Sequence, residues 1–173
     1  CLVGSEMCIR DSSAAISGTA TLLDQRENAT EVAVRVYLEA AQIRYNVNGS
    51  DLVTSGATTL NNATWYHVAI VRSGSTTKIW LNGVEVGTGT DSSNFATKPI
   101  RVGMDYAGAN GFAGYIDELR VSTTNRYTGA FTAPLGVFQG DVNTKLLFHF
   151  DGANGNQFTQ DWSGTNDFTK GED

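Results

Sequence analysis

The chain has 173 residues and a formal net charge of −6 at pH 7, which is the length of one globular domain. Its 12 lysines and arginines are spread along the chain, which argues against nucleic acid or an anionic membrane as a partner. No apolar run approaches the roughly 20 residues that cross a bilayer, and the abundance of Thr, Ser, Gly and Asn favours strands and turns.

The first twelve residues, CLVGSEMCIRDS, have no strand period, no helix period and no signal-peptide layout. The stretch LVGSEMCIRDS resembles one translated reading frame of a transposase-type sequencing adapter. We therefore interpret residues 1–12 as an artefact outside the fold, and expect the natural start to be missing. Cys1 and Cys8 both lie in this stretch, so the remaining chain offers no disulfide and no thiolate metal site.

From Thr21 onward, apolar and polar residues alternate in short runs, which is the period of half-buried strands. A turn is predicted at Asn48-Gly49-Ser50. Two strands are predicted before it, with core faces made of Val32, Val34, Val36 and Leu38 and of Ile43, Tyr45 and Val47.

Two turns fix the register of a three-stranded unit between residues 65 and 86. Asn82-Gly83 is the dipeptide preferred by a two-residue type I′ turn, because both central positions need positive φ. A second hairpin closes at residues 73–76. The predicted opposite pairs are Val68 and Leu81, Ile70 and Ile79, Arg72 and Thr77, Leu81 and Val84, Trp80 and Glu85, and Ile79 and Val86.

This register separates an apolar face from a mixed face, and a slip of one residue would destroy the separation. The apolar face contains Tyr66, Val68, Ile70, Ile79, Leu81, Val84 and Val86. The mixed face contains Trp65, His67, Ala69, Val71, Lys78, Trp80 and Glu85.

Two more strands are predicted at residues 100–104 and 114–122, joined by a glycine-rich loop at residues 105–111. No segment shows a sustained helical period. The sequence therefore predicts an all-β sandwich with at most a helical turn near residues 124–127.

Three segments in order, WYHVAIVRSGSTTKIWLNGVEV, IRVGMDYAGANGFAGYIDELRVS and RYTGAFTAP, resemble the laminin G-like domains of the concanavalin A-like lectin and glucanase superfamily. The resemblance covers roughly residues 21–138. It implies an antiparallel jelly-roll β-sandwich and an extracellular, cell-surface or virion location. Domains with a DELR strand followed by an RYT segment are similar to those of phage virion and bacterial surface proteins.

The tail resembles the opening strands of a further domain of this kind, at residues 144–152 and 158–164. We therefore divide the chain into a jelly-roll at residues 13–139 that lacks its first strand, and the start of a following repeat at residues 140–173. An exposed sheet edge is prone to unwanted pairing, so residues 145–150 are expected to fill the missing-strand slot, as in a circular permutant.

The superfamily includes retaining glucanases, whose two carboxylates stand about 5–5.5 Å apart. Asp117 and Glu118 are adjacent, so on a strand they point to opposite faces. Neither has a second carboxylate two positions away, which departs from the E-x-D-x-E pattern of the glucanases. We therefore expect no catalysis. Asp117 is expected to anchor a turn or loop, and Glu118 to form an ion pair with Arg120 or another neighbour.

The histidines offer no nucleophile and base pair, and no zinc spacing is present. Calcium is the more plausible cofactor, since the resemblance implies rim-loop carboxylates and carbonyls that suit a hard cation. Asp105 with Asn110 in the glycine-rich loop is the best candidate, and Asp91 is the next. The alternative is that Asp105 caps a turn.

For ligand binding, the mixed face offers Trp80 flanked by Lys78, Glu85 and His67, because an aromatic ring among polar groups can stack on a sugar. The alternative is that Trp80 packs under a loop or under other strands of the chain. The loop residues Tyr106 and Phe95 are a second candidate patch.

The leading hypothesis is a non-enzymatic binding or adhesion module, one of a tandem array, that recognises carbohydrate or a surface protein. A fold alone does not prove binding. Two alternatives are a structural spacer of a phage tail or fibre, and an accessory carbohydrate-binding domain of a secreted glycosidase.

Overall fold

The computed structural model describes the backbone of residues 5–13 and, in full, residues 18–58, 60–61, 63–95, 98–151 and 163. These residues form eleven β-strands and no helix. Accordingly, the described part of the chain holds no helix long and apolar enough to cross a membrane.

The strands form two antiparallel sheets, which makes the fold an all-β jelly-roll sandwich. The six-stranded sheet runs in the order β11 (Thr144–Phe148), β10 (Gly114–Ser122), β1 (Ser5–Ser13), β6 (Trp65–Ser73), β7 (Thr76–Leu81) and β8 (Val84–Thr90). The five-stranded sheet runs in the order β5 (Ser50–Thr54), β4 (Gln42–Val47), β3 (Val34–Glu39), β2 (Thr19–Asp24) and β9 (Arg101–Val102).

The core lies between the inner faces of the two sheets. The predicted faces of β3 and β4 are buried in it, except that Val32 is 41% exposed. Val32 lies outside β3 because a turn, closed by the amide of Ala33 donating to the carbonyl of Glu31, precedes the strand. The fully buried members include Leu22, Val36, Leu38, Ile43, Val68, Ile79 and Leu119.

The two turns read from the sequence set the register of β6, β7 and β8 almost throughout. All three predicted pairs between β6 and β7 are present, and so are the two pairs next to the Asn82-Gly83 turn. One predicted pair is wrong, because Ile79 lies opposite Gly87 and not Val86, owing to an irregularity of the register between Ile79 and Trp80. Val84 is 62% exposed instead of facing the core, because it directly follows the turn.

Beyond this irregularity, the glycines of β8 lie against the backbone of β5. A Cβ added to Gly87 would lie 2.8 Å from the carbonyl oxygen of Thr54, and one added to Gly89 would lie 2.5 Å from that of Leu52. The amide of Gly56 also donates to the carbonyl of Val86. The edge strands of the two sheets are therefore in direct contact on this side of the sandwich.

The chain after β8 is less regular than predicted. The strand expected at residues 100–104 is limited to β9, because Gly103 takes a φ of +76° and turns the chain into the glycine-rich loop. The predicted strand at residues 114–122 is β10. Residues 124–127 form bends and no helical turn.

The six-stranded sheet includes β1, although the sequence analysis set residues 1–12 aside from the fold. Its backbone pairs with β6 on one side and with β10 on the other. Ladder hydrogen bonds use backbone groups only, so a segment without an alternating pattern can complete a sheet. The adapter origin of these residues stays a prediction.

At the other side of β10 lies β11, with Leu119 opposite Phe148 and Val121 opposite Leu146. This pairing joins the start of the tail segment to the sheet. The circular-permutant hypothesis and the division at residue 140 stay predictions. Of the second tail segment, residues 158–164, all but Ser163 lie outside the described residues.

Candidate functional site

The outer face of the six-stranded sheet is crossed by residues 123–143, here called the covering segment. Its aromatic side chains form a second apolar cluster with residues of β6, β7 and β11. The amide of Phe131 donates to the carbonyl of Gly83 and thereby fixes the segment to the β7–β8 turn. The cluster consists of Ala69, Val71, Trp80, Phe138 and Leu147, with Tyr127 and Phe131 packed against it.

The covering segment buries two of the predicted ligand-binding residues. Trp80 and His67 are 2% and 3% exposed. The His67 ring makes edge contacts with Tyr127, Phe131 and Phe138 at centroid distances of 5.8, 5.5 and 5.9 Å. Trp80 therefore packs under the covering segment, as the alternative predicted, and forms part of the apolar layer beneath the surface.

Lys78 and Glu85 remain at the surface beside the covering segment. Their side chains form an ion pair of 2.7 Å and are each 35% exposed. The Lys78 ammonium also lies 5.6 Å from the centroid of the Trp80 ring, a cation–π distance. The buried tryptophan thus positions the exposed lysine.

A cleft of about 120 Å³ opens between the β6–β7 hairpin and the covering segment. One lining residue is Tyr127, whose ring is stacked on that of Phe131. Another is Asn125, whose buried Oδ1 atom has no hydrogen-bond partner within the described part of the chain. The lining is completed by Val71, Ser73, Thr76, Lys78 and Thr128.

The groups that line this cleft suit a polar, uncharged ligand. Hydroxyl and amide groups supply donors and acceptors next to an aromatic ring, and the charge of Lys78 is balanced by Glu85. These groups can bind a ligand through hydrogen bonds and contact with the ring.

The predicted calcium residues Asp105 and Asn110 are brought together by a direct hydrogen bond of 2.6 Å. The other Asp105 oxygen accepts the amides of Ala107 and Ala109. Burial raises the pKa of Asp105, but the hydrogen bonds from Asn110, Ala109 and Ala107 and the charge of Arg35 outweigh it, so the pKa is lowered. A cation would have to displace these donors.

Asp91 and Phe95 belong to a different buried cluster, around Arg72. Asp91 accepts a 2.7 Å hydrogen bond from the Tyr45 hydroxyl and lies 3.4 Å from the Arg72 guanidinium. That guanidinium is also 5.0 Å from the Phe95 ring centroid. Burial, and then the hydrogen bond to Asp91, raise the pKa of Tyr45. Among the described residues, no group of three or more His, Cys, Asp and Glu could hold a metal ion.

The last predicted ligand-binding residue, Tyr106, is separate from the mixed face. Its ring centroid lies 5.1 Å from the Arg26 guanidinium carbon, and its amide donates to Asp24. Tyr106 and Phe95 therefore contact different arginines, Arg26 and Arg72 respectively.

Glu118, considered above as a catalytic carboxylate, is 3% exposed and has a φ of +57°. It accepts the amide of Phe138 at 2.6 Å and contacts Nδ1 of His149 at 2.9 Å. These contacts join the covering segment and the residue after β11 to β10. Glu118 therefore anchors the covering segment and His149 to β10.

A polar network on the outer face of the five-stranded sheet was not predicted from the sequence. Asp51 accepts hydrogen bonds from Tyr37 at 2.8 Å, from Arg44 at 2.8 Å and from Asn46 at 2.7 Å. The Arg35 guanidinium lies 4.3 Å from the Tyr37 ring centroid. These residues alternate with the apolar ones used to predict the core, so the signal was present in the same strands.

A comparison with models of known protein families finds a match. A family model described as the concanavalin A-like lectin and glucanase superfamily, of laminin G type, matches residues 11–130. A search of curated protein sequences finds no match.

The solved proteins that the structure resembles include the following three. A Bacteroides ovatus protein described as carbohydrate-binding has a TM-score of 0.67 and 16% identity over 93% of this chain and 50% of its own. The carbohydrate-binding module of a Ruminococcus gnavus sialidase has a TM-score of 0.59 and 14% identity over 72% and 78%. Domains LG4-5 of the mouse laminin α1 chain have a TM-score of 0.56 and 20% identity over 76% and 39%.

At these identities the likeness to solved structures concerns the fold alone, and the chain spans half the length of the Bacteroides protein. The family model, in contrast, covers most of the chain and includes the hairpin series, β10 and the start of the covering segment. The chain therefore belongs to the laminin G-like family of the concanavalin A-like lectin and glucanase superfamily.

Proposed function

We propose that this domain is a non-catalytic carbohydrate-binding module whose glycan site is the cleft between the β6–β7 hairpin and the covering segment. The observation that carries the proposal is the lining of the cleft. It combines an aromatic ring, Tyr127, with the ammonium of Lys78 and the hydroxyls and amide of its polar neighbours. Sugars have apolar C–H faces and a rim of hydroxyls, so they need both kinds of group.

The charge of the cleft favours an uncharged sugar. Lys78 already pairs with Glu85 at 2.7 Å, so the pair presents one donor group and one acceptor group with no net charge. Such a pair can bind neighbouring hydroxyls of one sugar ring, with the Lys78 ammonium as donor and the Glu85 carboxylate as acceptor. The volume of about 120 Å³ is below the roughly 300–1,000 Å³ of common ligand pockets, so the cleft would take at most one terminal sugar unit.

The comparisons support a carbohydrate ligand for the fold without naming one for this chain. The Ruminococcus gnavus module has been solved with α2,3-sialyllactose. A domain of an extracellular arabinanase from Geobacillus stearothermophilus, with a TM-score of 0.51, has been solved with arabinotriose. A domain of this architecture can therefore serve acidic as well as neutral sugars.

From the sequence resemblance we also propose an extracellular setting, on a cell surface or virion, within a larger multi-repeat chain. In that setting the module would attach its parent protein to glycans or to a surface protein. Calcium binding by the Asp105 loop or by Asp91 is not part of this proposal, because these carboxylates already accept the hydrogen bonds described above.

A glycan array with the full chain, followed by calorimetry on the hits, tests the glycan site. Lys78→Ala should weaken binding about 10- to 150-fold, because a hydrogen bond to a charged group contributes about 1.5–3 kcal/mol. The matched control is Lys98→Ala, which removes an ion-paired surface lysine that contacts Glu27 and Glu31 outside the cleft. It should leave the affinity unchanged.

Two outcomes would contradict the proposal. No competable hit on the array would favour the spacer role instead. Equal losses in Lys78→Ala and Lys98→Ala would place the binding surface elsewhere.

A further inference from the structure

Two aromatic side chains at the opposite end of β6 from the cleft are exposed to solvent. Trp65, the first residue of β6, is 46% exposed, and Tyr115, in β10, is 75% exposed. Large aromatic residues on a sheet face are commonly covered, as His67 is, two residues along the same strand. These two lie where the aromatic residues of the covering segment do not bury them.

The strand register puts both residues on the same face. Trp65 lies opposite Ser12 of β1, and Tyr115 lies opposite the same residue on the other side. Directly opposite residues of neighbouring strands point to the same face of a sheet. Trp65 and Tyr115 therefore project together from strands that are separated by one strand.

Their separation is two strand spacings, or about 10 Å between Cα atoms. A ligand that contacts both rings must be longer than one sugar unit and extended across the strands. Exposed aromatic rings with a flat apolar face and a polar tip suit the alternating C–H faces and hydroxyls of such a chain.

We propose that Trp65 and Tyr115 form a second subsite for an extended, uncharged oligosaccharide. The inference rests on the proposed function and names the class of glycan. The net charge of −6 disfavours a polyanionic chain. A protein partner is the competing occupant, but two rings cover far less than the roughly 1,200 Å² of a stable protein interface.

The test uses uncharged oligosaccharides of one to six units from the cello, xylo and arabino series. Calorimetry measures affinity against chain length, and the indole N–H resonance of Trp65 is followed by NMR. Only chains of three or more units should shift this resonance. Trp65→Ala and Tyr115→Ala should each weaken binding of those longer chains about tenfold, while monosaccharide binding in the cleft stays unchanged.

Trp65→Phe and Tyr115→Phe are the matched controls, because they keep a ring and should retain most of the affinity for longer chains. The inference is overturned if ring removal leaves the length dependence intact while Lys78→Ala still weakens binding. It is also overturned if acidic oligosaccharides alone shift the Trp65 resonance. Absence of binding by every oligosaccharide would refute the proposed function, and this inference with it.

Discussion

The contact between Gly83 and the covering segment gives the sharpest stability prediction. Gly83 has a φ of +83°, and a Cβ added to it would lie 1.7 Å from the carbonyl oxygen of Phe131 and 2.7 Å from its carbonyl carbon. Both are backbone atoms, so a change of rotamer cannot relieve the clash. Gly83→Ala must therefore push the segment away from the β7–β8 turn.

The expected cost is the sum of three effects. Alanine in the left-handed region costs about 1–2 kcal/mol. Loss of the 3.1 Å hydrogen bond from the Phe131 amide to Gly83 costs about 1 kcal/mol. The Phe131 ring centroid lies 5.8 Å from that of Trp80 and 5.5 Å from that of His67 in the native protein. Weakening of these two contacts costs about 1 kcal/mol more. Gly83→Ala should thus lose about 3–4 kcal/mol of unfolding free energy.

Gly74→Ala is the matched control, because Gly74 also sits in a hairpin turn, with a φ of +60°, and has nothing within 4 Å of an added Cβ. It should lose only the backbone cost of about 1–2 kcal/mol. Urea unfolding of both variants, followed by circular dichroism and tryptophan fluorescence, measures the difference. Equal losses would refute the placement of the covering segment on the turn.

Three further predictions concern single groups. Glu118→Gln removes the charge beside His149 and should cost about 1–3 kcal/mol in urea unfolding, whereas Glu85→Gln at the surface should cost under about 1 kcal/mol; equal costs would contradict the anchor role. Burial and a carboxylate hydrogen bond raise the pKa of Tyr37 to about 12, above about 10 in the unfolded chain. Stability should therefore fall as the pH rises from about 10 to about 12, and Tyr37→Phe should reduce that fall in alkaline unfolding titrations. The melting temperature should be the same in EDTA and in millimolar calcium, because the Asp105 oxygens already accept hydrogen bonds; a rise with calcium would show that the loop rearranges.

The hairpin series was predictable because its signals are local. The Asn82-Gly83 turn fixes one register, and the turn at residues 73–76 fixes the next, so the alternating pattern could be checked twice. The prediction failed at Ile79, where β8 shifts its register. Next to this shift, Gly87 lies against β5, which is distant in sequence, so no local pattern indicates the irregularity.

The candidate site was only partly predictable for a similar reason. Lys78 was identified from its position on the mixed face, but the cleft also needs Asn125 and Tyr127 from the covering segment. That segment has neither a strand nor a helix period, so its path over the sheet does not follow from the sequence. The burial of Trp80 and His67 depends on the same path, because Phe131 of the covering segment contacts both rings.

The contact between β8 and β5 has a consequence for solubility. An unpaired sheet edge offers a row of N–H and C=O groups to any extended chain, yet here the edges of both sheets shield each other because Gly87 and Gly89 have no side chains. A valine at either position would separate the sheets and expose two edges to neighbouring molecules. These glycines therefore protect the protein against aggregation as well as permitting its fold.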